Sequence, residues 1–286
     1  MFYLDGLWRS THIATGHTRK SLSQKLKDMI QPKTVKMKTK NLIYPLLIMG
    51  LMLIFTLGCE KDDNIIYGDG VTDINGNEYI SVVIGDQEWM AENLKTTTYK
   101  DGADIPNVTD DDEWSNLSTG GYCWYNNDYD EYGTVYGALY NWYAVETGNL
   151  CPEGWRVPTD NDWKILEGTV DSRYDVGSSE WNKTFRRRGN NAGRKLKATS
   201  GWHSVWYYFR KGTNDYGFSA LPGTGRLYSN GKFVDGVGKF AGFWSSSENS
   251  GANAWFRTLR YDSRRVFRNN TSKGGGKSVR CIRDID

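Results

Sequence analysis

Hydrophobic and polar residues divide the chain into three parts. Residues 42–57 (LIYPLLIMGLMLIFTL) form an apolar run without a charge, and a basic stretch precedes it. A short polar segment follows at 59–70. From residue 71 to residue 286, short apolar runs alternate with turns rich in Gly, Asn and Asp. This pattern predicts a leader, a polar tether at 59–70 and a single folded domain at 71–286.

Two regions of the domain have the pattern of β-strands. Residues 71–94 (VTDINGNEYISVVIGDQEWMAENL) carry β-branched and aromatic runs separated by the turn dipeptides Asn75-Gly76 and Gly85-Asp86. This arrangement predicts a strand meander. Further strands are predicted in the C-terminal half, in the segments FSALPG, GRLYSNGKFV, AGFWSSSEN, ANAWFRTLRY, RRVFRN and KSVRCIRD.

The first of two predicted helices covers 134–145 (TVYGALYNWYAV). Val135, Leu139 and Trp142 lie at positions i, i+4 and i+7 of this segment. Residues with that spacing share one face of a helix, so the segment is predicted to be amphipathic.

The second predicted helix begins after Thr159. Thr159 and Asp162 have the spacing of a capping box, and Trp163, Leu166 and Val170 then form an apolar stripe. Two helices among many short strands indicate an α+β fold. We therefore expect two helices packed on twisted antiparallel strands, with long ordered loops between them.

The leader resembles a secretory signal peptide with a lipid-attachment site. A spanning helix needs about 20 apolar residues, and the run at 42–57 is shorter. Leu57-Gly58-Cys59 resembles a bacterial lipobox, which implies cleavage before Cys59 and acylation of its thiol and amine. Such an anchor would hold the domain on a membrane. The alternative is a signal-anchor helix in which Cys59 is incidental.

Lys61, Asp62 and Asp63 resemble the export tag of Bacteroidota surface lipoproteins. We therefore expect a lipid-anchored protein of the outer membrane that faces the cell exterior. The signal peptide is predicted to occupy 37–58 and to start at Met37. Residues 1–36 would then be an extension upstream of the true start, the alternative being an unusually long n-region.

The charge is unevenly distributed between leader and domain. The whole chain has a net charge of +2, yet residues 1–58 hold nine of the 36 Lys+Arg and two of the 34 Asp+Glu. The remainder has 27 basic and 32 acidic residues, a net charge of −5. A mildly acidic domain argues against nucleic acid as a partner. The triplet Arg186, Arg187 and Arg188 is predicted to be a solvated loop face.

Nine segments spread along the domain resemble the Fibrobacter succinogenes major paralogous domain. The resemblance implies a fold similar to C-type lectins and to formylglycine-generating enzymes, but no common reaction, because fold alone does not confer activity. It runs from Val71 to Asp284, through VTDINGNEY, GDQEWMAENLKTT, YCWYNND, YGALYNWYAV, CPEGWRVPTDNDW, DYGFSALPG, FWSSSEN, ANAWFRTL and SVRCIRD.

Three cysteines remain after Cys59, and two of them are expected to pair in an exported protein. The resemblance favours Cys151 with Cys281, because such a bridge is similar to the long-range tie of lectin-like domains. Cys123 with Cys281 is the rival pairing. Formylglycine-generating enzymes bind copper through a cysteine pair near this end of the fold. Residues 277–286 hold one cysteine, so that activity is not expected.

Few residues carry catalytic or metal-binding chemistry. His203 is the only histidine after Cys59, and there is neither a GxSxG turn nor a CxxC pair, which argues against a serine triad and a zinc site. No cofactor is expected, although Asp128, Asp130 and Glu131 are a weak candidate for a structural calcium ion. The calcium-binding triplets of lectins are absent.

Aromatic residues are the main candidates for ligand binding. They make up 14% of the chain, with 12 Trp and 18 Tyr, so most are expected in the core. Trp202, Trp206, Tyr207 and Tyr208 lie in a Gly- and Ser-flanked loop, where rings could stack on sugars. The alternative is that these rings fold back over the core.

These features together predict a surface lipoprotein that acts as a binding module without catalytic activity. The expected ligand is a glycan or a surface protein. The alternatives are a structural or fimbrial component of the envelope and a glycan hydrolase that uses two carboxylates.

Overall fold

The computed structural model describes residues 65–204 and 211–285. These residues belong to one compact unit, Gly58–Asp286. Its strands are β1 (Ile66–Tyr67), β2 (Val71–Thr72), β3 (Glu78–Tyr79), β4 (Ser81–Ile84), β5 (Gln87–Met90), β6 (Tyr122–Cys123), β7 (Leu139–Tyr140), β8 (Arg187–Arg188), β9 (Phe240–Ser250), β10 (Asn253–Arg260), β11 (Val266–Ser272) and β12 (Ile282–Asp284). Its α-helices are α1 (Asp111–Asn116), α2 (Thr134–Tyr136), α3 (Trp142–Glu146), α4 (Asp160–Val170) and α5 (Ala192–Leu196).

The strands form two four-stranded antiparallel sheets and two short ladders. The first sheet has the order β1-β4-β5-β12, and the second has the order β8-β11-β10-β9. The last strand of the domain pairs with an early one, Ile282 opposite Trp89. The beginning and end of the domain therefore meet in one sheet. The mixture of helices and antiparallel sheets agrees with the α+β prediction. The meander predicted at 71–94 is two separate hairpins instead, β2-β3 in a short ladder and β4-β5 in the first sheet.

Helix α4 confirms the second predicted helix. The Thr159 side chain accepts a hydrogen bond from the Asp162 backbone N–H, and the Asp162 carboxylate accepts one from the Thr159 N–H. This capping box satisfies backbone donors that the first turn of a helix leaves free. Trp163 and Leu166 on the inner face are buried. The Trp163 ring lies 4.9 Å from that of Trp89, which joins the helix to the first sheet.

The single helix predicted at 134–145 is wrong. The segment contains helix α2, strand β7 and helix α3 instead. Gly137 separates the first two at a φ of +71°, and a Cβ there would lie 2.8 Å from the Cβ of Asn93. Val135, Leu139 and Trp142 therefore do not share one buried helical face, and Val135 is 52% exposed. Asn141 then starts helix α3 by accepting from the Ala144 N–H.

Two of the six strands predicted in the C-terminal half are not regular strands. FSALPG and GRLYSNGKFV contribute isolated bridges, such as Lys197 with Ala220 and Arg226 with Phe233. The fully buried Arg226 organises these loops. Its guanidinium donates to the carbonyl oxygens of Val108 (2.6 Å) and Gly231. A charged donor with several backbone acceptors can order a loop without a β-ladder.

Aromatic rings dominate the interior, as the composition predicted. The predicted core residues Trp89, Trp124, Trp142, Trp155, Trp163 and Trp244 are buried. Trp255 is only half-buried, and the Arg268 guanidinium lies 3.5 Å from its ring centroid.

The predicted solvated loop face at the arginine triplet is wrong for one residue. Arg186 and Arg187 are exposed, but the Arg188 side chain is fully buried in an ion pair with Glu167. Strand β8 alternates, so neighbouring side chains point to opposite faces, and one of them points into the core.

Candidate functional site

A small pocket lies beside the loop that follows α5. Its volume is about 140 Å³. Its walls come from the turn after β5, from α2, from the last strand region and from the loop that follows α5. The lining residues are Ala91, Glu92, Asn93, Lys95, Val135, Ala198, Ser219, Leu221 and Arg280. Six of them are apolar or neutral, and Glu92, Lys95 and Arg280 are charged.

Arg280 supplies a buried positive charge to this pocket. The residue is 1% exposed, and its guanidinium donates to Asn93 Oδ1 (2.9 Å), to the Phe218 carbonyl and to the Ser219 carbonyl (3.0 Å). Within residues 65–204 and 211–285, these acceptors are neutral and no carboxylate forms an ion pair with Arg280. Burial lowers the pKa of Arg280 to about 9. The negative charge of Glu92, which also lines the pocket, offsets part of this effect without pairing directly with the guanidinium.

Asn93 connects Arg280 to the rest of the pocket wall. Its amide nitrogen donates to the Tyr136 carbonyl at 2.7 Å, while its side-chain oxygen accepts from Arg280. Both ends of the amide are thus fixed, which orients the guanidinium. Asn93 and Arg280 lie in two of the segments that carry the family resemblance, but the sequence did not show that they meet, because 187 positions separate them.

Trp202 does not line this pocket and is not a free stacking ring. The residue is half-buried and packs against a hydrophobic core cluster. Its indole N–H donates to the Ala220 carbonyl at 3.0 Å, and Lys197 Nζ lies 5.1 Å from its ring centroid. The alternative interpretation, a ring folded back over the core, therefore describes Trp202 better. The remaining predicted residues of the loop, Trp206, Tyr207 and Tyr208, lie outside the described residues.

The cysteines pair as the resemblance favoured. Cys151 and Cys281 form a disulfide with a sequence separation of 130. The rival partner, Cys123, is free and buried. Burial raises the pKa of the Cys123 thiol to about 12. A thiol with this pKa is a poor nucleophile, because the thiolate is the reactive form.

Asp128, Asp130 and Glu131, the weak calcium candidate, do not come together as a metal site. Asp128 caps the turn at 129–133 by accepting from the Glu131 backbone N–H at 2.9 Å, and Asp130 and Glu131 precede Thr134 on that turn. In the part of the chain that the structure describes, no three His, Cys, Asp or Glu side chains come close enough to hold a metal ion. The sequence motif is accounted for by helix capping.

Buried carboxylates act as arginine partners. Burial favours a higher pKa for Asp160, but hydrogen bonds and positive charge from Arg268 and Arg257 lower it overall. The pKa of Asp162 is lowered against burial in the same way, chiefly by Arg156. A glycosidase acid needs a raised pKa in order to carry a proton at neutral pH. Neither residue has the property that a general acid requires.

His203 is an exposed loop residue. Its ring lies 6.0 Å from that of Tyr261, and its backbone N–H donates to Gly238 at 2.8 Å. The predicted lipid-attachment residue Cys59 and the tag residues Lys61, Asp62 and Asp63 lie outside the described residues. None of the helices described within 65–204 and 211–285 is sufficiently long and apolar to cross a membrane.

Comparison with known proteins identifies one family. No curated protein and no solved structure matches the chain. The Fibrobacter succinogenes major domain matches residues 82–283, which is more than half of the sequence and includes the second sheet, most of the first sheet, the disulfide and the pocket. The chain belongs to the Fibrobacter succinogenes major domain family.

Proposed function

We propose that this protein is a lipid-anchored binding module of the outer bacterial surface, with a lectin-like domain and no catalytic role. Its ligand is a glycan or a surface protein that places one substituent in the pocket above Arg280. The lipobox-like Leu57-Gly58-Cys59 and the tag-like Lys61, Asp62 and Asp63 support the anchor and its orientation. Family membership supports the domain but assigns it no reaction.

The observation that carries this proposal is the buried charge of Arg280 next to an apolar pocket. Burying a guanidinium with which no carboxylate pairs directly is costly, and a buried charge of this kind beside a pocket is a candidate for a binding site. The pocket of about 140 Å³ is smaller than the roughly 300 Å³ at which sites for whole drug-sized ligands begin. It therefore suits a single polar substituent with a short apolar base, while the rest of the ligand lies on the surrounding loops.

The test is ligand binding by a variant in which the pocket is covered. Val135 lines the pocket and is 52% exposed, so Val135→Trp adds a large ring at its mouth with little cost to the core. Full-length wild type and variant are compared on an array of bacterial and host glycans and in capture of surface proteins from intact cells. We expect wild type to bind and Val135→Trp to lose binding at least tenfold.

Ile74→Trp is the matched control, because Ile74 is equally exposed (52%) and does not line the pocket. It should bind like wild type. If Val135→Trp and Ile74→Trp bind equally well, the pocket is not the site. Wild type that binds neither a glycan nor a surface protein would instead favour a structural role in the envelope.

A further inference from the structure

A network of ion pairs at helix α4 points to a second site. Asp160 pairs with three cations: Arg257 at 2.8 Å, Arg268 at 2.7 Å and Lys164 at 3.1 Å. Arg257 continues the network to Glu167 at 2.6 Å. Glu167 also pairs with Arg188, and both of these side chains are fully buried.

The network carries more positive than negative charge. Four cations (Lys164, Arg188, Arg257 and Arg268) share two carboxylates (Asp160 and Glu167), which leaves a net charge of +2. Charge excess in a low-dielectric interior is unfavourable unless a counter-ion is nearby.

Two further observations show that Arg188 is incompletely compensated within this network. Burial, followed by repulsion from Arg257 and Arg268, lowers the pKa of Arg188 to about 10 despite its pairing with Glu167. Its Nε is also buried without a hydrogen-bond partner among the described residues. Two nearby carboxylates are committed elsewhere: Glu180 to Lys183 and Asp171 to the backbone N–H groups of 190–192.

Lys164 brings the network to a surface pocket. The pocket has a volume of about 340 Å³ and lies between α4 and the segment 176–182. Lys164 lines it, and its side chain retains 23% of its exposure. The pocket is distinct from the one above Arg280, since the two share no lining residue.

The rest of the lining combines amide groups with an apolar wall. Asn161 and Asn182 are exposed and can hydrogen-bond to hydroxyl groups. Ile165, Val176 and the edge of Trp181 form the apolar side. A sugar ring presents hydroxyl groups around its edge and C–H groups on its faces, and both find partners here.

We propose that this pocket binds an acidic glycan, with the carboxylate of a uronic acid residue paired to Lys164 and its hydroxyl groups bonded to Asn161 and Asn182. The carboxylate supplies the counter-charge that the buried network lacks. An acidic peptide would satisfy the charge equally well, but it would leave the two amides and the apolar wall with less to bind. This site is independent of the pocket above Arg280.

Titration calorimetry of the full-length chain with trigalacturonic acid tests the proposal, with neutral galactotriose as the comparison ligand. Wild type should bind the acidic trisaccharide at least about tenfold more tightly than the neutral one, because a charge-assisted hydrogen bond contributes about that factor. The preference should decrease as NaCl is added, since a partly exposed ion pair is screened. Lys164→Gln should remove most of the preference.

Lys232→Gln is the matched control, because it makes the same charge change at an exposed position outside the pocket. It should bind like wild type. Asn161→Asp is a second variant at an exposed position; its added negative charge should weaken binding even if Lys164→Gln does not fold.

Several results would overturn the proposal. They are the absence of trigalacturonate binding by wild type, equal affinity for galactotriose, and unchanged binding by both pocket variants. Tighter binding of hexaglutamate than of trigalacturonate would assign the site to an acidic peptide instead. Val135→Trp should leave trigalacturonate binding unchanged, which separates this site from the one above Arg280.

Discussion

Arg188 and Glu167 form an ion pair in which both side chains have no solvent exposure. Glu167 lies on α4 and Arg188 on β8, so the pair ties the long helix to the edge of the second sheet. A buried pair of this kind contributes little net stability when intact, but removing one member leaves an uncompensated charge. The stability of the fold therefore depends on Glu167, which acts through its charge and not through apolar packing.

The first prediction concerns this pair. Glu167→Gln should lower the free energy of unfolding by about 3–5 kcal/mol, because Arg188 loses its carboxylate partner and Arg257 keeps only Asp160. Urea denaturation measures the change. Glu113→Gln is the control, since Glu113 is exposed in the first turn of α1, and it should cost less than about 1 kcal/mol. A loss of less than 1 kcal/mol for Glu167→Gln would contradict the prediction.

The disulfide should contribute a large part of the stability. Cys151→Ala combined with Cys281→Ala opens a loop with a sequence separation of 130. The chain-entropy treatment of cross-links gives a cost of about 5 kcal/mol for a loop of this length. Thermal and urea unfolding with and without reductant should show the loss. Cys123→Ala should have a much smaller effect, and reductant should still destabilise that variant.

Lys277 gives a pH-dependent prediction. Burial lowers the pKa of Lys277 to about 8, from 10.5. Between pH 8 and 10.5 the unfolded chain therefore binds more protons than the folded one, so the contribution of Lys277 to stability rises with pH in that window. Below pH 8 the charged lysine disfavours folding.

Lys277→Met should therefore stabilise the protein at pH 7 by roughly 1–3 kcal/mol, and the advantage should shrink as the pH approaches 10.5. The expected gain is reduced by contact of Lys277 Nζ with the Phe256 ring, 4.1 Å from its centroid, which the variant loses. Urea unfolding of both proteins at pH 7 and pH 10 measures the difference. A variant that is less stable at pH 7 would contradict the prediction.

Trp202 and Trp206 should respond differently to truncation. Trp202→Ala removes a half-buried ring and its hydrogen bond to Ala220, so it should cost about 2–3 kcal/mol, below the 3–5 kcal/mol of a fully buried tryptophan. If Trp206 is a stacking ring, Trp206→Ala should abolish glycan binding and leave the melting temperature nearly unchanged, whereas a ring folded over the core should cost about 3–5 kcal/mol on truncation. Thermal unfolding compares them. A large decrease in the midpoint for Trp206→Ala would contradict the stacking role of that ring.

The lipid anchor is tested at Cys59. Cys59→Ser should prevent acylation, because only the thiol can take the diacylglycerol group. Metabolic labelling with a fatty-acid analogue should mark wild type and not the variant. Cys123→Ser is the control and should still be labelled. Label that persists on Cys59→Ser would exclude Cys59 as the attachment site.

The amino-acid sequence alone determined the features that depend on neighbouring residues. The capping box at Thr159 and Asp162 needs only a three-residue spacing, and helix α4 begins there. The two hairpins within 71–94 follow from turn dipeptides and alternating side chains, and the aromatic core follows from composition. The domain family could likewise be identified from segments that keep their order along the chain.

Tertiary structure decided the features that join distant residues. Gly137 ends a helix that local periodicity favoured, because its backbone adopts a φ of +71°, and the side chain of Asn93 packs so closely that no residue with a Cβ fits there. Arg188 belongs to a triplet with the composition of a solvated loop, yet Glu167 makes its burial possible. Arg280 reaches Asn93 across a separation of 187 residues. Local patterns do not encode such contacts, because the energy of a buried charge depends on which partner the whole fold brings to it.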